Sequence, residues 1–366
     1  MKKKQLRYVS YLELDRLIAI PERHWPAHEF SFYLHDQLLH MLTQYEEGDA
    51  HNLVVQAFME ATKGQEDKFE GVDILEFLKK NDLVRPYEHH ILSHVTLAVV
   101  RDMLHFIYEA LSAFEKRKFS VGFSLLRKPL KEHLFFLCWV LADKEDFISR
   151  FEGNNHQTLN NVGKERKLEL FDKAIWKVAT PSLFSSELIW NMIYAKSHAR
   201  SLEPLFQRAT HLVTSMGDLL KTEDYSLNFV FVHPGEDYFF DRLYDVLPYI
   251  LIFTAQVSLA VFNRIHNVNS LTYSHMVLCT MGCYEAIFSD SKSQTIAKML
   301  NNNLGELLKC AHCKKPLRIN RGNAVGIYLR EQAICRSCRV ETPLPLYWLF
   351  GLVNLNLVND DSARAQ

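Results

Sequence analysis

FSVGFSLLRKPLKEHLFFLCWVLA, residues 119–142, is the stretch that sets the fold class. Its apolar residues recur at three- and four-residue steps and run into LFFLCWVLA. Over this length that is a helical pattern rather than a strand. Pro129 stands inside it and predicts either a kink or the first turn of a second helix. Just upstream, residues 87–117 place Ile91, Val95, Leu97, Ala98, Met103, Leu104, Ile107 and Leu111 on one broad apolar face. Two adjacent apolar helices predict an antiparallel pair in a bundle. Residues 27–47 repeat the pattern with Phe30, Leu34, Leu38, Leu39 and Leu42. Residues 62–72 read as a polar loop, and Asp73 starts a short helix. Residues 144–170 are polar and then strongly charged, and helical patterns return at 185–221, 240–265 and 273–308. Within 226–240, LNFVFV is β-like and precedes a Pro-Gly turn.

Composition narrows the class. The chain has 366 residues, 48% hydrophobic and 23% charged, with 13 Gly and 11 Pro, which favours a soluble protein of two or three units over a loop-rich or disordered one. The net charge of −1 supplies no global field for nucleic acid, so any basic surface must be local. The start, MKKKQLRYVSYLELDRLIAI, carries Glu13, Asp15 and Arg16 where a secretory leader needs an apolar run. A cytoplasmic location is the expectation. Two uncharged stretches, Val246 to Asn263 and Thr342 to Asn359, approach a spanning length. Both contain proline and polar groups that lipid would leave unsatisfied, so buried segments and no membrane partner are expected. No GxGxxG, P-loop, GxSxG or HExxH motif occurs, which lowers the dinucleotide, NTPase, α/β-hydrolase and zincin classes.

The strongest chemical signal lies near the C-terminus. Cys310 and Cys313 form one C-x2-C pair and Cys335 and Cys338 another, 21 residues apart. That is the spacing of a four-thiolate structural Zn2+ site. Between the pairs, LRIN, RGN and AVGIYL read as strand, turn and strand. Residues 308–341 resemble the zinc-ribbon superfamily, which implies a closed, structural metal and a β-hairpin. Eight basic residues run from Lys309 to Arg339, with Glu331 the sole acid among them. Lys314, Lys315, Arg318, Arg321, Arg330 and Arg336 are candidates for nucleic-acid contact. Offsetting the thiolate charge is the competing reading. His312, inside the first knuckle, reads as a surface side chain. The following ETPLPLYWLFGLVNLNLV is apolar enough to dock, and DDSARAQ reads as frayed.

Other constellations are weaker. Arg127, Glu132 and His133 sit in SLLRKPLKEHLFFLCWVL. This segment resembles the R-x4–6-H helix of HEPN-type nucleases and related bacterial all-helical proteins. The resemblance implies a metal-independent ribonuclease of toxin or anti-phage systems, in which His is the acid or base and Arg stabilises phosphate, usually across a homodimer. An intramolecular ion pair fixing helix packing is the alternative. His275, Cys279 and Cys283 share a helix face and read as core rather than metal ligands.

The expected architecture is mainly α, a multi-helix bundle with a small C-terminal β-hairpin zinc ribbon. Its units are an N-terminal helical segment (1–85), the bundle core (86–305), the ribbon (306–345) and an apolar docking segment with tail (346–366). The expected function is a zinc-containing protein contacting nucleic acid, or a partner bound to it, through the basic ribbon, with a place in bacterial defence. The alternatives are the HEPN-like ribonuclease and a protein-interaction scaffold with a purely structural zinc site.

Overall fold

The computed structural model describes residues 10–47, 52–63, 73–152, 157–213, 237–289 and 294–357. Most of the loop expected at 62–72, the β-like LNFVFV and the DDSARAQ tail lie outside them. The described chain is mainly α-helical, with one two-stranded antiparallel sheet near the C-terminus.

The expected helical pair is an antiparallel hairpin. Its first arm, Val84–Glu115, carries Pro86 in its opening turn, where a missing N–H costs nothing. It ends with Arg117 in the left-handed region (φ 53°). Arg117 N–H donates to Phe114 O and Lys118 N–H to Ala113 O, which satisfies the last carbonyls and reverses the chain. The second arm, Phe119–Lys128, then packs back closely. A Cβ at Gly122 would stand 2.6 Å from the Phe114 ring, so a glycine there is what allows the close approach. At Pro129 the helix is neither broken nor restarted. Pro129–His133 forms one π turn, closed by Leu134 N–H to Pro129 O, and Leu134–Ala142 continues as α-helix. Proline lacks the donor an α turn requires, and a π turn absorbs the extra residue.

Helices also occupy part of the charged 144–170 region, at Lys144–Phe151 and Lys164–Ile175. Their apolar stripes are narrow: Phe147 and Ile148 in one, Leu170, Phe171, Ala174 and Ile175 in the other. Asp143 caps the first helix, and Arg166 from the second pairs with Asp143 at 2.8 Å and Asp146 at 2.9 Å. The dense charge hides the stripe from a reading based on periodicity.

Trp25–Glu47 packs across the Val84–Glu115 and Leu247–Ile265 helices. Two helical runs, Val84–Glu115 and Tyr238–Ile265, are long and apolar enough to cross a membrane, and the apolar window of the second is 94% buried within the chain. Two of its polar side chains are satisfied internally, Thr254 donating to Ile250 O at 2.8 Å and Gln256 Oε1 accepting from Thr180 N–H at 3.0 Å, while the buried Ser258 hydroxyl has no partner among the described residues. The second uncharged stretch is only half buried. Its helix, Leu346–Leu352, buries Leu346 and Phe350 on Ser270–Phe288 and leaves Trp348 and Leu352 each 71% exposed.

The segment between the cysteine pairs departs from expectation. LRIN forms no strand, and AVGIYL is a helix, Ala324–Arg330, rather than a strand. Asn320 and Asn323 start it. Asn323 Oδ1 accepts from Asn320 N–H at 2.8 Å, Asn320 Oδ1 accepts from Gly322 N–H at 3.1 Å, and Asn320 O accepts from Ala324 N–H. A short apolar run has no period to separate helix from strand. The two strands lie further on: β1, Gln332–Ile334, pairs with β2, Glu341–Pro343, in the register Ala333 opposite Thr342.

The Ala324–Arg330 helix packs on Ser270–Phe288, so one continuous cluster of buried side chains runs from Leu12 to Phe350 and includes Leu308, Cys310 and Ile319. The tightest point is Gly282, where a Cβ would lie 2.5 Å from the buried Tyr328 ring. Gly282→Ala should therefore displace that ring and cost about 1–3 kcal/mol in urea unfolding. Tyr328→Phe should cost far less, because it removes a buried hydroxyl with no hydrogen-bond partner among the described residues. Equal losses for both substitutions would show that the ring contact is not the sensitive element.

Candidate metal centre

The four Sγ atoms of Cys310, Cys313, Cys335 and Cys338 lie within 4.8 Å of one another. Cys310 to Cys338 and Cys313 to Cys335 are each 3.6 Å. A tetrahedron with metal–sulfur bonds of about 2.3 Å has edges of about 3.8 Å. The thiols thus stand where one tetrahedral ion would hold them, and with four protein ligands the ion would have no open position.

Two equivalent turns build the site. In the first, Lys314 N–H donates to Cys310 O and Cys310 N–H to Lys315 O. In the second, Arg339 N–H donates to Cys335 O and Cys335 N–H to Val340 O. Lys314 (φ 58°) and Arg339 (φ 64°), each following its second cysteine, take the left-handed conformation that turns the chain. The second knuckle lies between β1 and β2. The first is held by a bridge between Lys309 and Pro316 and by Leu317 N–H to Leu308 O. Thr342, on β2, reaches across and donates its hydroxyl to Cys310 Sγ at 3.3 Å. No spacing rule in the sequence singles out this threonine.

The donor set suits a cation. The Thr342 hydroxyl, then the Cys313 and His312 N–H groups, pull the Cys310 thiol down to about 5. The Cys338 and Ser337 N–H groups lower Cys335 likewise. Cys338 moves the other way. The Val340 N–H pulls it down, but burial and the three neighbouring thiols together push it up to about 11. Four sulfurs this close cannot all be anionic without a cation between them.

Basic side chains surround the cluster unequally. Arg330 pairs with Glu341 at 3.0 Å, Lys309 pairs with Glu306 at 3.3 Å, and Arg336 donates to Asn320 Oδ1 at 3.3 Å. Lys314, Lys315, Arg318, Arg321 and Arg339 are exposed, and among the described residues no carboxylate pairs with them. His312 is exposed as well.

The other candidates are not assembled. His133 is buried on the π turn with Nε2 3.0 Å from Asp102 Oδ2, and Lys128 approaches the same carboxylate at 2.5 Å. Burial, and less strongly Lys128, outweigh Asp102 and lower His133 to about 4, so the ring is neutral at pH 7. Glu132 is exposed and Arg127 half-buried, and among the described residues neither makes a hydrogen bond or ion pair, with His133 or otherwise. Asp102, the actual partner of His133, lies on the preceding helix at a separation no motif encodes.

His275, Cys279 and Cys283 do not form a metal group. Among the described residues the quartet is the one cluster with ligand atoms close enough. His275 Nε2 meets Glu331 Oε1 at 2.8 Å, tying the body to the segment between the knuckles. Burial alone would lower His275, but the Cys279 sulfur and the Glu331 carboxylate raise it to about 10. No family model, curated protein or solved structure matches this chain.

Proposed function

We propose that the protein is a zinc-containing nucleic-acid-binding protein whose metal is structural and whose basic module contacts the phosphate backbone. The observation that carries this reading is the division among the cations. Arg330 and Lys309 are already ion-paired, whereas Lys314, Lys315, Arg318, Arg321 and Arg339 are exposed without a carboxylate. Offsetting thiolate charge does not call for five exposed cations around one site with a net charge of −2. Binding rather than catalysis is favoured because a closed four-thiolate ion leaves no position for a substrate, and because Arg127, Glu132 and His133 share no site within one chain. Zn2+ is the ion that a closed tetrahedral thiolate set in a reducing cytoplasm takes most readily.

Replacing Lys314, Lys315 and Arg318 together by Glu tests the reading. Each lost phosphate contact should lower the slope of log K against log salt by about 0.9 on duplex DNA or about 0.7 on single strands, with affinity falling at least about tenfold at low salt. Unchanged affinity in a variant that retains its metal would remove the proposal. Purification free of nucleic acid but with a protein bound at low salt would instead favour the scaffold.

A further inference from the structure

A cavity of about 680 Å³ opens between the Trp25–Glu47 helix, the turn joining Leu247–Ile265 to Ser270–Phe288, and the helix that follows the metal centre. Its floor is apolar and well packed: Met41, Tyr45, Phe262 and Met276 are all buried, and the Tyr45 and Phe262 rings sit 5.1 Å apart. Tyr347, next to Leu346 on the docked C-terminal helix, supplies an aromatic wall against His275.

The walls and rim are polar but carry little charge. Gln37, Gln44, Asn267 and Thr272 offer amide and hydroxyl groups, and His40 and His266 stand at the mouth. Among the described residues the lining contains no Asp, Glu, Lys or Arg. The charge of His275 is already answered by Glu331 at 2.8 Å. A phosphate or carboxylate would find no lysine or arginine, and a cationic ligand would find no free carboxylate. A plain acyl chain would leave the side amides facing hydrocarbon. What fits is a flat ring system stacking on aromatic and thioether surfaces, with donors and acceptors along its edge for the amides, each of which offers both. The volume lies within the range of small-molecule sites and exceeds what a bare base fills.

We propose that this cavity is a binding site for an uncharged, nucleoside-sized heteroaromatic molecule, distinct from the metal centre and from the basic surface. The volume and lining carry the assignment, and it does not rest on nucleic-acid binding by the module.

The test is calorimetric titration of the full chain with adenosine, guanosine, cytidine and uridine, with AMP and decanoate as comparison ligands. At least one nucleoside should bind saturably with a Kd below about 1 mM. AMP should bind no tighter than adenosine, since no lysine or arginine lines the cavity and His275 is already paired with Glu331. Thr272→Trp, which fills the wall from a half-buried position, should weaken the preferred nucleoside at least about tenfold while circular dichroism and metal content stay unchanged. Gln44→Ala, at an exposed position on the rim, should weaken it less and leaves the buried packing untouched. Three results would each overturn the proposal: no nucleoside binding at concentrations up to about 10 mM, undiminished affinity in folded Thr272→Trp, or binding of decanoate without any nucleoside.

Discussion

Cys335→Ser, or chelation of the metal, should lower the stability of the whole chain and not merely melt a C-terminal appendage. A closed four-thiolate ion contributes apparent binding free energy of about 10–16 kcal/mol in small zinc modules, and much of that is folding free energy of the segment it closes. Here that segment includes the Ala324–Arg330 helix. Ala324, Val325, Ile327, Tyr328 and Leu329 are all buried, with Tyr328 pressed on Gly282 of the Ser270–Phe288 helix. Exposing several such side chains costs about 1.5–3 kcal/mol each, a total comparable to the 5–15 kcal/mol that holds a typical domain together. Hydrogen exchange should show loss of protection in Ser270–Phe288 as well as in the knuckles, with a clear fall in the thermal midpoint. If protection in Ser270–Phe288 survived loss of the metal, the module would be an independent unit and the packing would count for little.

Glu115→Ala should be the most damaging single change away from the metal. Its carboxylate, 9% exposed, accepts from Arg16 Nη2 at 2.6 Å and from His28 Nε2 at 3.2 Å. On its other side the His28 ring meets the Tyr244 hydroxyl at 2.5 Å. A neutral His28 with its proton on Nε2 satisfies the chain, Tyr244 O–H to Nδ1 and Nε2–H to Glu115. The network joins the N-terminal segment, the Trp25–Glu47 and Val84–Glu115 helices, and Tyr238–Tyr244. Removing the carboxylate strands Arg16 and His28, and breaking such a buried set typically costs about 3–5 kcal/mol. Glu115→Gln, which keeps an acceptor, should cost less.

The same network fixes the direction of a pH effect. Burial, partly offset by Glu115, lowers the pKa of fully buried His28 below its ordinary 6.5, so the unfolded chain takes up the proton first and stability falls as pH drops below 6.5. Burial alone would raise Glu115, but His28 and Arg16 outweigh it and hold the carboxylate below its ordinary 4.5. Its contribution is present above 4.5 and is lost as pH falls through the lower folded value. Both groups act in the same direction, toward acid destabilisation. Glu115→Ala removes the carboxylate's share, which lies below 4.5, and takes from His28 the partner that raises it, so in urea titrations at pH 3 to 7 the dependence should steepen between 6.5 and 4.5 and flatten below. An unchanged profile in the variant would assign the acid response elsewhere.

Local covalent pattern and period determined the helical class and the metal site. Apolar residues at three- and four-residue steps marked Trp25–Glu47 and the Val84–Glu115 hairpin, because one face of a long helix must be buried wherever it packs. C-x2-C spacing marked all four sulfurs, because a knuckle places both thiolates from within a single turn. Only the tertiary structure decided the rest. It made AVGIYL a helix, since six apolar residues carry no period and the groove on Ser270–Phe288 selects the conformation. It gave His133 to Asp102, and left Arg127 and Glu132 out of any shared site, through packing between helices far apart in register. It brought Thr342 to Cys310, Glu331 to His275 and Tyr328 to Gly282. Each of these contacts depends on distance in space, and separation along the chain encodes that only where both partners lie on the same turn.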